Sequence, residues 1–77
     1  MTGAYVLFLV ESGAEDQVLK EAKLIDGVHE ANFTYGVYDL IMKVKADSME
    51  SLKHLITYRL RAIDNVMSTL TLVLTEE

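Results

Sequence analysis

The chain is 77 residues long, with 51% hydrophobic residues, 7 Lys and Arg against 12 Asp and Glu, a net charge of −5 and no cysteine. Such a length holds one core, and a chain this short is marginally stable by itself unless disulfides, a metal or a partner subunit support it. Without cysteine, disulfides and thiolate metal sites are excluded, and two separated histidines, His29 and His54, make a poor metal nucleus. Oligomerisation is the support that remains. The basic residues are scattered singly or in pairs, as in Lys43 with Lys45 and Arg59 with Arg61. Phosphate-backbone binding needs a clustered basic surface, so direct contact with nucleic acid is not expected.

The first apolar run, Ala4 to Val10, is too short for a helix and far below the roughly 20 residues that span a bilayer. It predicts a central strand buried on both faces. Only Met1, Thr2 and Gly3 precede it, so no signal peptide is expected and the chain is assigned to the cytoplasm. Ser12 stands three residues before Glu15, the spacing of a capping box, and predicts a helix start. The apolar stripe of that helix is Ala14, Val18, Ala22 and Ile25 with Leu19 beside it, at helical spacing. Asp26-Gly27 ends it.

Val28 to Tyr35 reads as a less buried strand, Tyr35-Gly36-Val37 as a turn, and Leu40 to Val44 as the next strand, the pair close enough to form a hairpin. Asp47 and Glu50 repeat the cap spacing, with Ser48 also at the helix start. Met49, Leu52, Ile56, Leu60 and Ile63 then mark one long amphipathic helix, stopped at Asp64-Asn65. The last strand, Met67 to Leu74, alternates Leu70, Leu72 and Leu74 with Thr69, Thr71 and Val73. That gives one strongly apolar face and one mixed face carrying Ser68, Thr69 and Thr71.

The order β-α-β-β-α-β contains an internal repeat, Ile25-Asp26-Gly27-Val28 against Ile63-Asp64-Asn65-Val66. Gly and Asn best tolerate the left-handed backbone, which gives the repeat a physical cause. The predicted fold class is α+β, a ferredoxin-like βαββαβ domain over residues 1–77. Its four-stranded antiparallel sheet carries both helices on one face. The other face is left open, and the cheapest cover for it is a second copy, giving a dimeric α+β barrel.

Catalysis needs converging groups of tuned pKa, a metal or a cofactor. His29 and His54 read as solvent-facing, Ser12 and Ser48 as caps, and the glycines are too scattered for a phosphate loop. No enzyme activity and no cofactor are expected. The segment Thr34 to Asp39 departs from fold logic, because a turn needs Gly36 but not Tyr35, Tyr38 or Asp39. One reading is structural: Tyr35 and Tyr38 pad the sheet edge and Asp39 tidies the turn. The other is a ligand rim: backbone N–H groups around Gly36 suit a carboxylate, Asp39 suits an ammonium, and the pair suits a free amino acid.

Gly36-Val37-Tyr38-Asp39-Leu40, Ile63-Asp64-Asn65-Val66 and Ser68-Thr69-Leu70-Thr71-Leu72-Val73-Leu74 follow each other in an order and spacing that resembles the effector-binding (RAM) domain of the Lrp/AsnC, or feast/famine, transcription regulators. The resemblance covers essentially the whole chain. It departs from the usual Pro-Gly pair at both helix ends. It implies a domain that dimerises through its sheet, assembles into an octamer or similar ring, and binds an amino acid at dimer–dimer contacts. Carried across, Tyr35, Gly36, Tyr38, Asp39, Ser68, Thr69 and Thr71 would border that ligand. No helix-turn-helix is expected here, so regulation would run through co-assembly with full-length regulators. Rival readings are a purely structural interaction module, an ACT-type regulatory domain and a small dimeric α+β barrel enzyme.

Overall fold

The structure, a computed structural model, describes residues 1–75. Its elements are β1 (Thr2–Val10), α1 (Glu15–Lys23), β2 (Val28–Phe33), β3 (Leu40–Ala46), α2 (Met49–His54), a π-helical segment (Leu55–Leu60) and β4 (Val66–Val73). The strands form one antiparallel sheet in the order β2-β3-β1-β4. This is the ferredoxin-like arrangement expected from the sequence.

Side chains alternate across a strand with period two, so register decides which residues share a face. On one face, Met42 and Val6 form a row with Ala31 and Thr71 at its ends, and Leu40, Phe8 and Thr69 form the next. Ala4, Val6, Phe8, Leu40, Met42 and Val44 are all fully buried there, against Val18 and Ala22 of α1 and Leu52, Leu55, Ile56 and Leu60 of the second helical stretch. Burying a side chain the size of Phe8 stabilises the fold by about 1.5–3 kcal/mol. The opposite face presents rows Ile41–Leu7–Leu70 and Lys43–Tyr5–Leu72. The Lys43 ammonium lies 5.7 Å from the Tyr5 ring centre. No helix covers this face, and Leu70 and Leu72 are 42% and 51% exposed. Within one chain β1 is therefore fully buried on a single face; Tyr5, Leu7 and Leu9 on the other are only half-buried.

The internal repeat is real in space. Val28 N–H donates to the Ile25 carbonyl at 3.2 Å and Val66 N–H to the Ile63 carbonyl at 3.3 Å. The third residue of each turn has positive φ, +100° at Gly27 and 74° at Asn65, as a type II turn demands. Both lie past the helix ends, so they turn the chain into the next strand rather than close the helix. At Gly27 space adds a second constraint, since a Cβ there would stand 2.8 Å from the Leu55 side chain.

The same turn geometry corrects the expected start of α1. Ala14 N–H donates to the Glu11 carbonyl, with Gly13 at φ +91°, so Ser12 is used inside a tight turn and cannot cap. Ala14 is the N-cap without a side-chain bond, while the Glu15 carboxylate reaches back to Gly13 N–H at 3.0 Å. At α2 the cap is Ser48, whose hydroxyl accepts from Ser51 N–H at 3.1 Å. Asp47, one residue early, is not the cap.

Three further expectations change. β2 ends at Phe33, not Tyr35, and a register shift between Val28 and Glu30 turns Ala31 inward. The predicted single long helix is α for one stretch and π for the next, where Arg61 N–H donates to the Ile56 carbonyl at 2.9 Å. Ser68 does not share a face with Thr69 and Thr71: it pairs with Leu9 on the open face, while they pair with Phe8 and Val6 on the helix side.

Candidate functional site

The loop from Thr34 to Asp39 joins β2 to β3 and is held from below. Thr34 N–H donates to the Asp39 carbonyl at 3.0 Å, and the Thr34 hydroxyl donates to the Tyr38 carbonyl at 2.7 Å. Asp39 then clamps the end of β1 twice. Its N–H donates to the Phe8 carbonyl at 2.8 Å, and its Oδ2 accepts from Val10 N–H at 3.0 Å. The physical need is plain, because β3 pairs with β1 only as far as Phe8↔Leu40. Val10 N–H would otherwise lack a partner, a cost of about 1–3 kcal/mol when shielded from water. Asp39 is thus a structural residue before any ligand arrives. Its other carboxylate oxygen has no protein partner among the described residues.

Above this base the tip stands in solvent. Tyr35 is fully exposed, Val37 is 79% exposed, and Tyr38 is half-buried. Gly36 has φ +128° with open space around its missing side chain, so its backbone can be approached closely. The tip therefore combines an aromatic ring, free backbone donors and a fixed carboxylate.

Thr69 and Thr71 lie elsewhere. They form one wall of an open cleft of about 380 Å³ between β4 and the second helical stretch, with Val73 beside them. The facing wall is Met49, Leu52, Lys53, Ile56, Thr57 and Arg61. Leu40, next to Asp39, and Thr69 flank Phe8 from opposite sides, so the hairpin base and Thr69 stand about two strand spacings, roughly 10 Å, apart. The structure thus gathers Tyr35, Gly36, Tyr38 and Asp39 at the tip, places Thr69 and Thr71 in the cleft, and puts Ser68 on the open face.

Lys53, Thr57 and Arg61 were not singled out from the sequence. Their fourth-residue spacing on an amphipathic helix was the available signal. A second hollow, about 460 Å³ along β2, brings Lys23, His29 and Glu30 together but contains none of the predicted site residues. His54 is exposed, its ring centre 4.9 Å from that of Tyr58. Among the described residues no group of three or more His, Asp or Glu could hold a metal ion. Among the described residues no helix is long and apolar enough to cross a membrane.

Comparison with known proteins agrees with this architecture. Regulatory protein AsnC of Escherichia coli is 34% identical over 73 residues, covering 92% of this chain and 47% of that protein. Hypothetical protein PHS023 from Pyrococcus horikoshii has the same fold at a TM-score of 0.93 and 32% identity, over 100% of this chain and 93% of that one. The structure of E. coli AsnC superposes with a TM-score of 0.92 at 27% identity, over 99% of this chain and 52% of that one. The chain spans about half the length of the curated relatives it matches. Residues 3–77 match the family model described as the Lrp/AsnC ligand binding domain, and by that match, its fold and its relatives the chain belongs to the Lrp/AsnC family of transcription regulators.

Proposed function

We propose that this chain is a non-enzymatic, amino-acid-sensing assembly module of the cytoplasm. It pairs through its open sheet face, the dimers build a ring such as an octamer, and an amino acid binds where dimers meet. Tyr35, Gly36, Tyr38 and Asp39, with Ser68, Thr69 and Thr71, border the ligand. Its influence on DNA passes through co-assembly with full-length Lrp/AsnC regulators.

The observation that carries this reading is the open face itself. Tyr5, Leu7, Leu9, Ile41, Leu70 and Leu72 make a contiguous, largely apolar surface without a helix over it. A small domain gains most by covering such a surface with a copy of itself. The ligand part is supported by the tip, where Asp39 presents a free carboxylate oxygen beside the accessible backbone of Gly36. A charge of −5 without a basic cluster argues against direct DNA contact.

Calorimetric titration of the assembled protein with the twenty amino acids tests the proposal. At least one should bind, and Asp39→Ala should weaken it about tenfold or more, the scale of a lost charge-assisted hydrogen bond. Tyr35→Ala, which removes only an exposed ring, should weaken binding with the fold intact. No binding by any amino acid contradicts the sensing role.

A further inference from the structure

We propose that the cleft between β4 and the second helical stretch binds a small monocarboxylate with an apolar tail, reading the carboxylate through Lys53 and Arg61 and leaving an amino group unread. The inference deepens the amino-acid reading above and rests on it, because Thr69 and Thr71 belong to both.

Charge is the first argument. The chain has 12 acids against 7 bases, yet among the described residues the cleft is lined by two cations and no carboxylate. Among the described residues the side chains of Lys53 and Arg61 have no ion-pair or hydrogen-bond partner. An anion entering the cleft thus meets two unengaged donors, and the Thr69 and Thr71 hydroxyls on the facing wall add further donors. Leu52 and Ile56, both largely buried, give the cleft an apolar floor. A bare inorganic anion would leave that floor wet, whereas an aliphatic tail covers it. A cleft of about 380 Å³ falls in the range of small-molecule sites, about 300–1,000 Å³.

The π-helical segment explains how the two cations come to share one wall. In an α-helix, with 3.6 residues per turn, positions four apart drift steadily around the axis. The i→i+5 bond from Arg61 N–H to the Ile56 carbonyl widens the turn. Positions 53, 57 and 61 then stay closer to one line, and Arg61 remains over β4 with Lys53.

Selectivity follows from what the cleft lacks. Among the described residues an ammonium finds no carboxylate there, and Asp39 stands about two strand spacings away, roughly 10 Å, beyond the reach of one amino acid's own amino group within the chain. A 2-oxo acid, with the same carboxylate and tail, satisfies the cleft as well as the amino acid does.

Matched probes test this on the assembled protein: valine, leucine, isoleucine, methionine and phenylalanine, their 2-oxo acids and their amides, titrated by calorimetry. At least one 2-oxo acid should bind within about tenfold of its amino acid, and the amide should bind at least tenfold more weakly. Lys53→Gln and Arg61→Gln should each weaken both acids about tenfold, while Asp39→Ala, which acts on the ammonium from a neighbouring copy where dimers meet rather than through the cleft, weakens only the amino acid. Lys20→Gln, an exposed charge on α1, controls for net charge and should change neither. Amino acids binding while every 2-oxo acid fails overturns the proposal and leaves the amino-acid reading standing; so does 2-oxo acid affinity that stays within twofold in both cleft variants. Binding of 2-oxo acids without any amino acid sustains the cleft and overturns the amino-acid reading. Silence from all probes overturns the cleft, and the remaining amino acids then decide the reading it rests on.

Discussion

The two faces of the sheet are built from the same strands, residue by residue in alternation, and they do different work. On the helix side Ala4, Val6, Phe8, Leu40, Met42 and Val44 are sealed. On the other side Tyr5, Leu7, Leu9 and Ile41 are half-buried, and Leu70 and Leu72 remain substantially exposed. One face is finished by its own chain. The other is apolar enough to be a core, and the proposed dimer supplies its second layer.

Phe8→Ala gives the sharpest contrast between the faces, since it empties a fully buried site on the finished side. It should cost about 3–5 kcal/mol, most of the stability of a domain worth about 5–15 kcal/mol in total, and urea unfolding reads it directly. Gly27→Ala comes next. It forces a left-handed backbone on a residue with a side chain and drives its Cβ into Leu55, for about 2–4 kcal/mol. Gly36→Ala has the positive φ but open space and should cost about 1–2 kcal/mol. Measuring the two glycines side by side separates turn strain from packing. Smaller still is the cap test. Ser48→Ala should lose about 1 kcal/mol, whereas Ser12→Ala should stay within about 0.5 kcal/mol, as for a solvent-exposed position.

Periodicity made most of the fold legible. The alternating and helical apolar patterns located all four strands and both helical stretches, and the Ile-Asp-Gly/Asn-Val repeat marked the two matching turns. The misses have local causes. Ser12 has the capping spacing, but the Gly13 turn uses it before the helix begins. The π-helical segment keeps every apolar position that an α-helix would use, so Leu52, Ile56 and Leu60 read the same for either geometry. Strand alternation alone assigned Leu70 and Leu72 to an apolar face correctly, yet it could not say that this face lacks helices, because that depends on register with β1.

For the site, the hairpin from Tyr35 to Asp39 stood out because its residues exceed what a turn requires. The structure adds the reason for part of that excess, which is the Asp39 clamp on Val10. Ser68 was grouped with Thr69 and Thr71 by proximity in sequence, whereas period two puts it on the other face. Lys53 and Arg61 do not stand out from the sequence, since a single helix pattern does not reveal which strand stands opposite.

The central claim is that the open face is completed by a second copy, and native mass spectrometry beside sedimentation velocity tests it most directly. The wild-type chain should appear as dimers or multiples of dimers. Leu7→Glu combined with Leu72→Glu, which places charges on the open face while leaving Phe8 and its neighbours untouched, should give monomers with unchanged far-ultraviolet circular dichroism. Burying those charges would cost several kcal/mol, enough to weaken association about a hundredfold or more. A wild-type chain that remains monomeric at tens of micromolar, on the order of the protein concentration used for such work, would contradict the account. So would a double variant that still assembles like the wild type.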